Sequence, residues 1–94
     1  MSLLSGQITV TTAGTAVAGP DVDIVNAVLI RGLTGNTGLV YVGNDGAGDV
    51  TSANGFELDS GEDTIELSSA VVTNLSQLYF DAATSGDKLC WILA

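Results

Sequence analysis

Histidine is absent from this 94-residue chain. That removes the side chain most often used as a general base near neutral pH, and the commonest transition-metal ligand. Serine–histidine and cysteine–histidine nucleophile pairs are excluded with it. Cysteine occurs once, at Cys90. No disulfide forms within the chain, so the fold does not depend on an oxidising compartment. Cys90 lies inside an apolar run and reads as a small core residue. Proline also occurs once, at Pro20 between Gly19 and Asp21, where a turn needs no strand donor. No apolar run approaches the roughly 18–20 residues of a membrane span. The opening MSLLSG has neither the basic nor the apolar stretch of a secretion signal, so none is expected.

Positive charge is nearly missing. Arg31 and Lys88 stand against eleven acids, for a net charge of −9. A nucleic-acid binder needs clustered Lys and Arg to displace counterions from phosphates. An anionic membrane repels this chain for the same reason. Neither nucleic acid nor membrane is an expected partner. Charged residues are 14% of the chain and hydrophobic ones 46%, whereas soluble chains average about 25% charged. The surface is therefore covered by Thr, Ser, Asn and Gly, or by another copy of the chain. A chain this short makes one domain and buries roughly 60–65% of the surface its unfolded form exposes.

What is present is alternation. In residues 7–12, Ile8 and Val10 point one way and Gln7, Thr9 and Thr11 the other, which is the period of a half-buried strand. Ala13-Gly14 breaks the pattern, and residues 15–17 resume it. Residues 25–33 form a second strand, with Val28 and Ile30 toward the core and Leu29 and Arg31 opposite. Both faces of this strand are partly apolar, which suits a central strand or one lying under a partner. Residues 39–42 follow, with Val40 and Val42 on one face and Leu39 and Tyr41 on the other.

The stretch 37–63 is the centre around which the flanking strands pack. It runs from the 39–42 strand through a Gly/Asn/Asp loop and an Asn54-Gly55 turn to the apolar pair Phe56 and Leu58. Ser60-Gly61 then turns the chain into the strand 64–67, whose Ile65 and Leu67 share a face. Residues 71–75 are ambiguous. Asn74-Leu75-Ser76 reads as a crossing loop whose leucine plugs one end of the core. Residues 78–82 form a strand with Leu78 and Phe80 inward and Tyr79 outward, or the reverse. Ser85-Gly86-Asp87 turns the chain into a last strand over 88–93.

Seven to eight short strands, turn signals every eight to twelve residues and no helical period define an all-β antiparallel sandwich, jelly-roll-like. Residues 1–5 read as a flexible N-terminal arm and 6–94 as a single β-sandwich domain. The adjacent Leu3 and Leu4 make that arm either a frayed end or a docking segment for a neighbouring subunit.

Candidate chemistry is sparse. Glu57, Asp59, Glu62, Asp63 and Glu66 lie close in sequence. A glycosidase pair drawn from them needs a cleft that holds a sugar, and short loops offer little wall. Acids alternating with apolar residues read instead as a solvated face. The loop Asn44-Asp45-Gly46-Ala47-Gly48-Asp49 spaces oxygen ligands with glycine, as a calcium loop does. Counting from Asp45, the twelfth position holds Phe56 rather than the bidentate Glu an EF-hand requires. The loop reads as a glycine-rich hairpin connection. The same run, Gly43 to Gly48, is followed by neither Lys nor a helix, so it is no phosphate loop. Tyr41 and Trp91 offer either a sugar-stacking platform or, from their place in apolar strands, core or subunit interface.

Several segments, taken in order, carry a family resemblance. They are Val10-Thr11-Thr12-Ala13-Gly14-Thr15-Ala16, Gly35-Asn36-Thr37-Gly38, Val40-Tyr41-Val42-Gly43-Asn44 and Val50-Thr51-Ser52-Ala53-Asn54-Gly55-Phe56-Glu57-Leu58. Ser60-Gly61-Glu62, Asn74-Leu75-Ser76-Gln77-Leu78-Tyr79-Phe80 and Ser85-Gly86-Asp87 complete the set. Together they resemble a family of small virion proteins of tailed bacteriophages, the capsid decoration or cement proteins. The resemblance covers nearly the whole chain. It implies a β-sandwich structural protein on the outside of an icosahedral head, often a trimer at three-fold positions, bracing capsomers against packed DNA. The implied partners are further copies of the chain, as a homotrimer, and the phage major capsid protein. The implied location is the outer capsid surface, after synthesis in the bacterial cytoplasm. No catalytic residue, cofactor or metal is carried over, and no enzyme is expected. Leu3, Leu4, Leu29, Tyr41 and Trp91 are the expected interface residues. A tail, neck or fibre component on the same sandwich stays open, as does a Ca²⁺- or carbohydrate-binding module.

Overall fold

Alternating stretches become strands, and glycine-bearing corners set where they stop. The computed structural model describes residues 4–43, 50, 55–59, 61 and 63–94. Among them are eight strands: β1 (Ser5–Thr9), β2 (Val17–Ala18), β3 (Ala27–Gly32), β4 (Val40–Gly43), β5 (Phe56–Leu58), β6 (Thr64–Ser68), β7 (Tyr79–Ala82) and β8 (Lys88–Leu93). One 3₁₀ turn spans Leu75–Gln77. Two corners show why glycine is needed. Gly14, with φ of 87°, ends the first alternation, and Gly86, with φ of 90°, sits in the turn closed by Asp87 N–H donating to the Thr84 carbonyl at 3.2 Å. Both values lie where a Cβ is penalised.

The first strand pairs with the last, the second with the seventh, the third with the sixth and the fourth with the fifth, all antiparallel. Partner numbers fall as residue numbers rise, from Ser5 opposite Ile92, through Val17 opposite Phe80 and the bridge Asp23–Asn74, to Val40 opposite Leu58. The chain is thus one long antiparallel ribbon folded over on itself. Its innermost pair, β4 with β5, comes from the 37–63 stretch. Folding the ribbon adds β3–β8 and β4–β7 contacts and yields two sheets, ordered β1-β8-β3-β6 and β2-β7-β4-β5. That nesting is the double-sheet jelly roll.

The core lies between the sheets. Ile8, Val28, Ile30, Leu89 and Trp91 from the first sheet meet Val40, Val42, Leu58, Phe80 and Ala82 from the second. Each fully buried large aliphatic or aromatic side chain contributes about 1.5–3 kcal/mol over its exposed state. Phe80 and Leu78 are inside and Tyr79 is half-buried, which resolves the direction of β7.

Leu75 closes one end of the core, fully buried, as its sequence position implied. The local structure is a capped 3₁₀ turn rather than plain loop. Asn74 Oδ1 accepts from Ser76 N–H at 2.9 Å, and Gln77 Oε1 accepts from Asn74 N–H at 3.3 Å. This reciprocal box overrides the weak propensity of so short a segment.

Two sequence expectations need correction. Cys90 is half-buried and stands on the outer face of β8, because Leu89 and Trp91 on either side of it take the inward positions. Ser5, assigned to the arm, begins β1, and the Leu4 carbonyl accepts from Leu93 N–H at 2.9 Å. β5 spans Phe56–Leu58 as expected, with Leu58 buried and Phe56 58% exposed on this edge strand. Leu3, the loop 45–49 and Asn54 lie outside the described residues.

Candidate functional site

The outer face of the first sheet departs most from a solvated surface. Since Ile8, Leu89, Trp91, Val28 and Ile30 point inward, the alternate residues of β1, β8 and β3 point out. Register aligns them in rows. One row reads Gln7, Cys90, Arg31, Thr64, and the next reads Ser5, Ile92, Leu29, Glu66. These rows, Glu66 excepted, line an open groove of about 540 Å³, with Leu29, Cys90 and Ile92 as its apolar floor and Ser5, Gln7, Arg31 and Thr64 around it. The size lies within the range of binding clefts.

Charge is distributed unevenly about this face. Arg31 and Lys88 are the only cations in the chain, and both occupy outward positions of this sheet, on β3 and β8. Glu66 is the one acid in its four strands. The groove is therefore the part of a −9 molecule that attracts a carboxylate.

The remaining exposed hydrophobics add to this sheet. Leu4 precedes β1, Val25 precedes β3 and Val71 follows β6. The antiparallel pairing Ser5–Ile92 and Ala27–Ser68 places all three at the same end of the first sheet, next to Ile92. Phe56, on the second sheet, stands apart from them.

The five expected interface residues divide accordingly. Leu29 lies in the groove and Leu4 is exposed at its end. Tyr41 and Trp91 are 4% and 7% exposed within their own chain: Trp91 packs in the core between the sheets, whereas Tyr41, between inward Val40 and Val42, is buried on the other face of β4. Neither offers a free ring face for stacking a sugar. Trp91 lies across Gly6, where a Cβ would stand 3.0 Å from Cζ2 of the indole. Sequence reading missed Gln7, Cys90 and Ile92 as groove residues. β8 is apolar on both faces, as β3 is, so its sequence marks it as double-faced without saying which set points outward.

The acids that are buried serve the fold. Asp87 accepts from Thr37 N–H at 3.0 Å and from Gly38 N–H at 2.9 Å, one bond to each carboxylate oxygen. Asp81 Oδ1 accepts from Gly14 N–H at 2.9 Å and Ala82 N–H at 2.8 Å. Asn74 Nδ2 donates to Asp21 and Asp23 at 2.9 and 3.0 Å, which ties the 21–23 segment to the capped turn. Among the described residues no group of three or more His, Cys, Asp or Glu is placed to hold a metal. Among them also, no buried side-chain nitrogen or oxygen lacks a partner, and no helix is long and apolar enough to cross a membrane.

The fold and this face together define an all-β jelly-roll domain with an apolar, cation-bearing sheet surface. No family model, curated protein or solved structure matches the chain.

Proposed function

We propose that this chain is a structural virion protein: a capsid decoration, or cement, protein that binds the outside of a tailed-phage head as an oligomer and stabilises it. The observation that carries this reading is the groove face, an apolar sheet surface that is open among the described residues, on an acidic, charge-poor body. Contiguous apolar surface of this kind marks association. The ordered resemblance to phage decoration proteins supplies the partner. Such a role needs area and shape match rather than a reactive group, and no catalytic step is part of it. Attachment through several copies multiplies weak contacts by effective concentration. The acidic remainder repels DNA released from damaged heads.

Electron microscopy of purified particles tests the reading directly. Density for the chain on the outer head surface is the expected result. Density confined to tail, neck or fibre moves the protein to the alternative structural role, and absence from every particle removes both. In solution, the purified protein is expected to bind expanded heads and to raise their resistance to heat.

A further inference from the structure

We infer that the chain pairs with a second copy of itself edge to edge, β1 against β1 in antiparallel register about Gln7, so that the first sheets of the two molecules run on as one. This pairing deepens the proposed oligomeric role, and it rests on that reading for the association of copies.

β1 is an edge strand, with β8 as its only strand neighbour. The bonds at its ends reveal which of its backbone groups β8 takes up. The Leu93 N–H donates to the Leu4 carbonyl at 2.9 Å, and the Val10 N–H donates to the Asp87 carbonyl at 3.0 Å. On the far side of β8, the Leu33 N–H donates to the Lys88 carbonyl and the Ala94 N–H to the Ala27 carbonyl. Odd-numbered residues of β8 therefore bond β1, and even-numbered ones bond β3. Paired residues in an antiparallel ladder alternate between bonded and non-bonded. Gly6 and Ile8 accordingly bond Trp91 and Leu89, while Ser5, Gln7 and Thr9 turn their N–H and C=O groups away from the sheet. All three residues are exposed, and among the described residues none of these backbone groups has a partner.

The other sheet edges suit such pairing less. β2 has two residues, with Pro20 just beyond it, and β5 has three and carries Glu57. β6 matches β1 in length. Its register with β3, fixed by the Ser69 N–H donating to the Asn26 carbonyl at 2.8 Å, turns the backbone groups of Thr64, Glu66 and Ser68 outward. Two β6 strands paired about their centre would set Glu66 against Glu66, and like charges directly opposite repel. β1 has no charge, no proline and no bulge in its register, which are the features that guard an edge. Pairing about Gln7 aligns all three of its free residues. Gln7 meets the copy's Gln7 and Ser5 meets the copy's Thr9, each pair exchanging both backbone bonds. Gly6 falls opposite the copy's Ile8, a small residue against a large one. Charge favours the same edge. The strands behind it, β8 and β3, carry Lys88 and Arg31 and no acid, on a chain of net charge −9 that repels its copies elsewhere. The contact is isologous, the same strand on both sides of a two-fold axis.

The test uses the full chain with Gln7→Pro and Gln7→Lys. Proline removes an N–H that β8 does not use, which an edge strand tolerates. Lysine sets two cations face to face across the junction. Circular dichroism and thermal midpoint establish that each variant is folded. In analytical ultracentrifugation the wild type is expected to dimerise, and each variant to weaken the dimer at least about tenfold, since backbone bonds are lost on both sides of the axis. Amide hydrogen exchange locates the contact. The Ser5, Gln7 and Thr9 amides should be protected in the dimer and fast in the monomer, whereas Gly6 and Ile8 should be protected in both. Gln7→Lys should return Ser5 and Thr9 to fast exchange, and it decides the matter alone if Gln7→Pro fails to fold. A folded wild type that stays monomeric overturns the pairing. Association in any form, trimer included, that leaves the three amides fast overturns it as well. The cement reading stands after either result if heads are still bound. Protection of these amides that appears only on heads assigns the edge to a strand of the shell protein and also overturns the pairing of copies. A dimer that forms through β1 but binds no head leaves the pairing in place and removes the cement role.

Discussion

The side chain of Asn36 stands in for a strand beside Lys88. Its Nδ2 donates to the Lys88 carbonyl at 2.7 Å, and its Oδ1 accepts from Lys88 N–H at 2.9 Å. That reproduces the double exchange of an antiparallel pair where β3 has already ended. It also fixes the entry into β8, two residues before the groove's Cys90. Asn36→Ala leaves a part-buried strand group short of a partner, which costs about 1–3 kcal/mol. Asn36→Asp keeps the acceptor and aims a second oxygen at the Lys88 carbonyl, so it should be no better than alanine. Urea denaturation of the two variants checks both values.

Asp87 acts on the same loop from the other side of the turn. With both oxygens accepting, from Thr37 and Gly38, it clips residues 37–38 to the 84–87 turn across about fifty positions of sequence. Asp87→Asn retains one acceptor oxygen and Asp87→Ala none. The expected stability order is wild type, then asparagine, then alanine, with the alanine variant at least about 2 kcal/mol below wild type. An asparagine variant as stable as wild type would mean that one bond suffices.

Strand positions were legible because alternation is a local signal. Val28, Ile30, Val40 and Val42 take the inward positions that period two assigns, and β8 spans the expected 88–93. The facing of an apolar position between apolar neighbours was not legible. Cys90 and Ile92 look like core in a run of six, and only the pairing of β8 between β1 and β3 decides which alternate set faces the second sheet. The nesting of the strands is equally a tertiary fact. The groove follows from it, since two double-faced strands, β3 and β8, become neighbours only once the ribbon folds over. Leu29 was found from its own strand, while Cys90 and Ile92 needed the fold.

Two glycines separate close approach from chain freedom. A Cβ at Gly19 would collide with the Leu75 backbone carbonyl, although the backbone of Gly19 is not in the left-handed region. Gly35 has open space around the same atom and no positive φ. Gly19→Ala should therefore push the capped turn off the core and cost about 1–3 kcal/mol, as overpacking does. Gly35→Ala should be neutral or stabilise by up to about 1 kcal/mol, through the unfolded chain. Thermal midpoints of the pair measure the contrast, and equal losses at both sites would contradict the packing of Gly19 on Leu75.

Leu89 and Cys90 are adjacent in β8 and point to opposite faces, so they test the assignment of sheet faces most economically. Leu89 is fully buried between the sheets. Leu89→Ala should open a cavity and cost about 2–5 kcal/mol, because the surrounding strands relax only in part. Cys90→Ser changes a half-buried atom on the outer surface and should cost under about 1 kcal/mol. The thiol of the native monomer should also react with a small reagent at a rate that does not change with urea below the unfolding transition. Rates that instead rise with urea in step with global unfolding would place Cys90 in the core. The groove floor would then lose one of its three apolar residues, and the outer face of β8 would have to be reassigned.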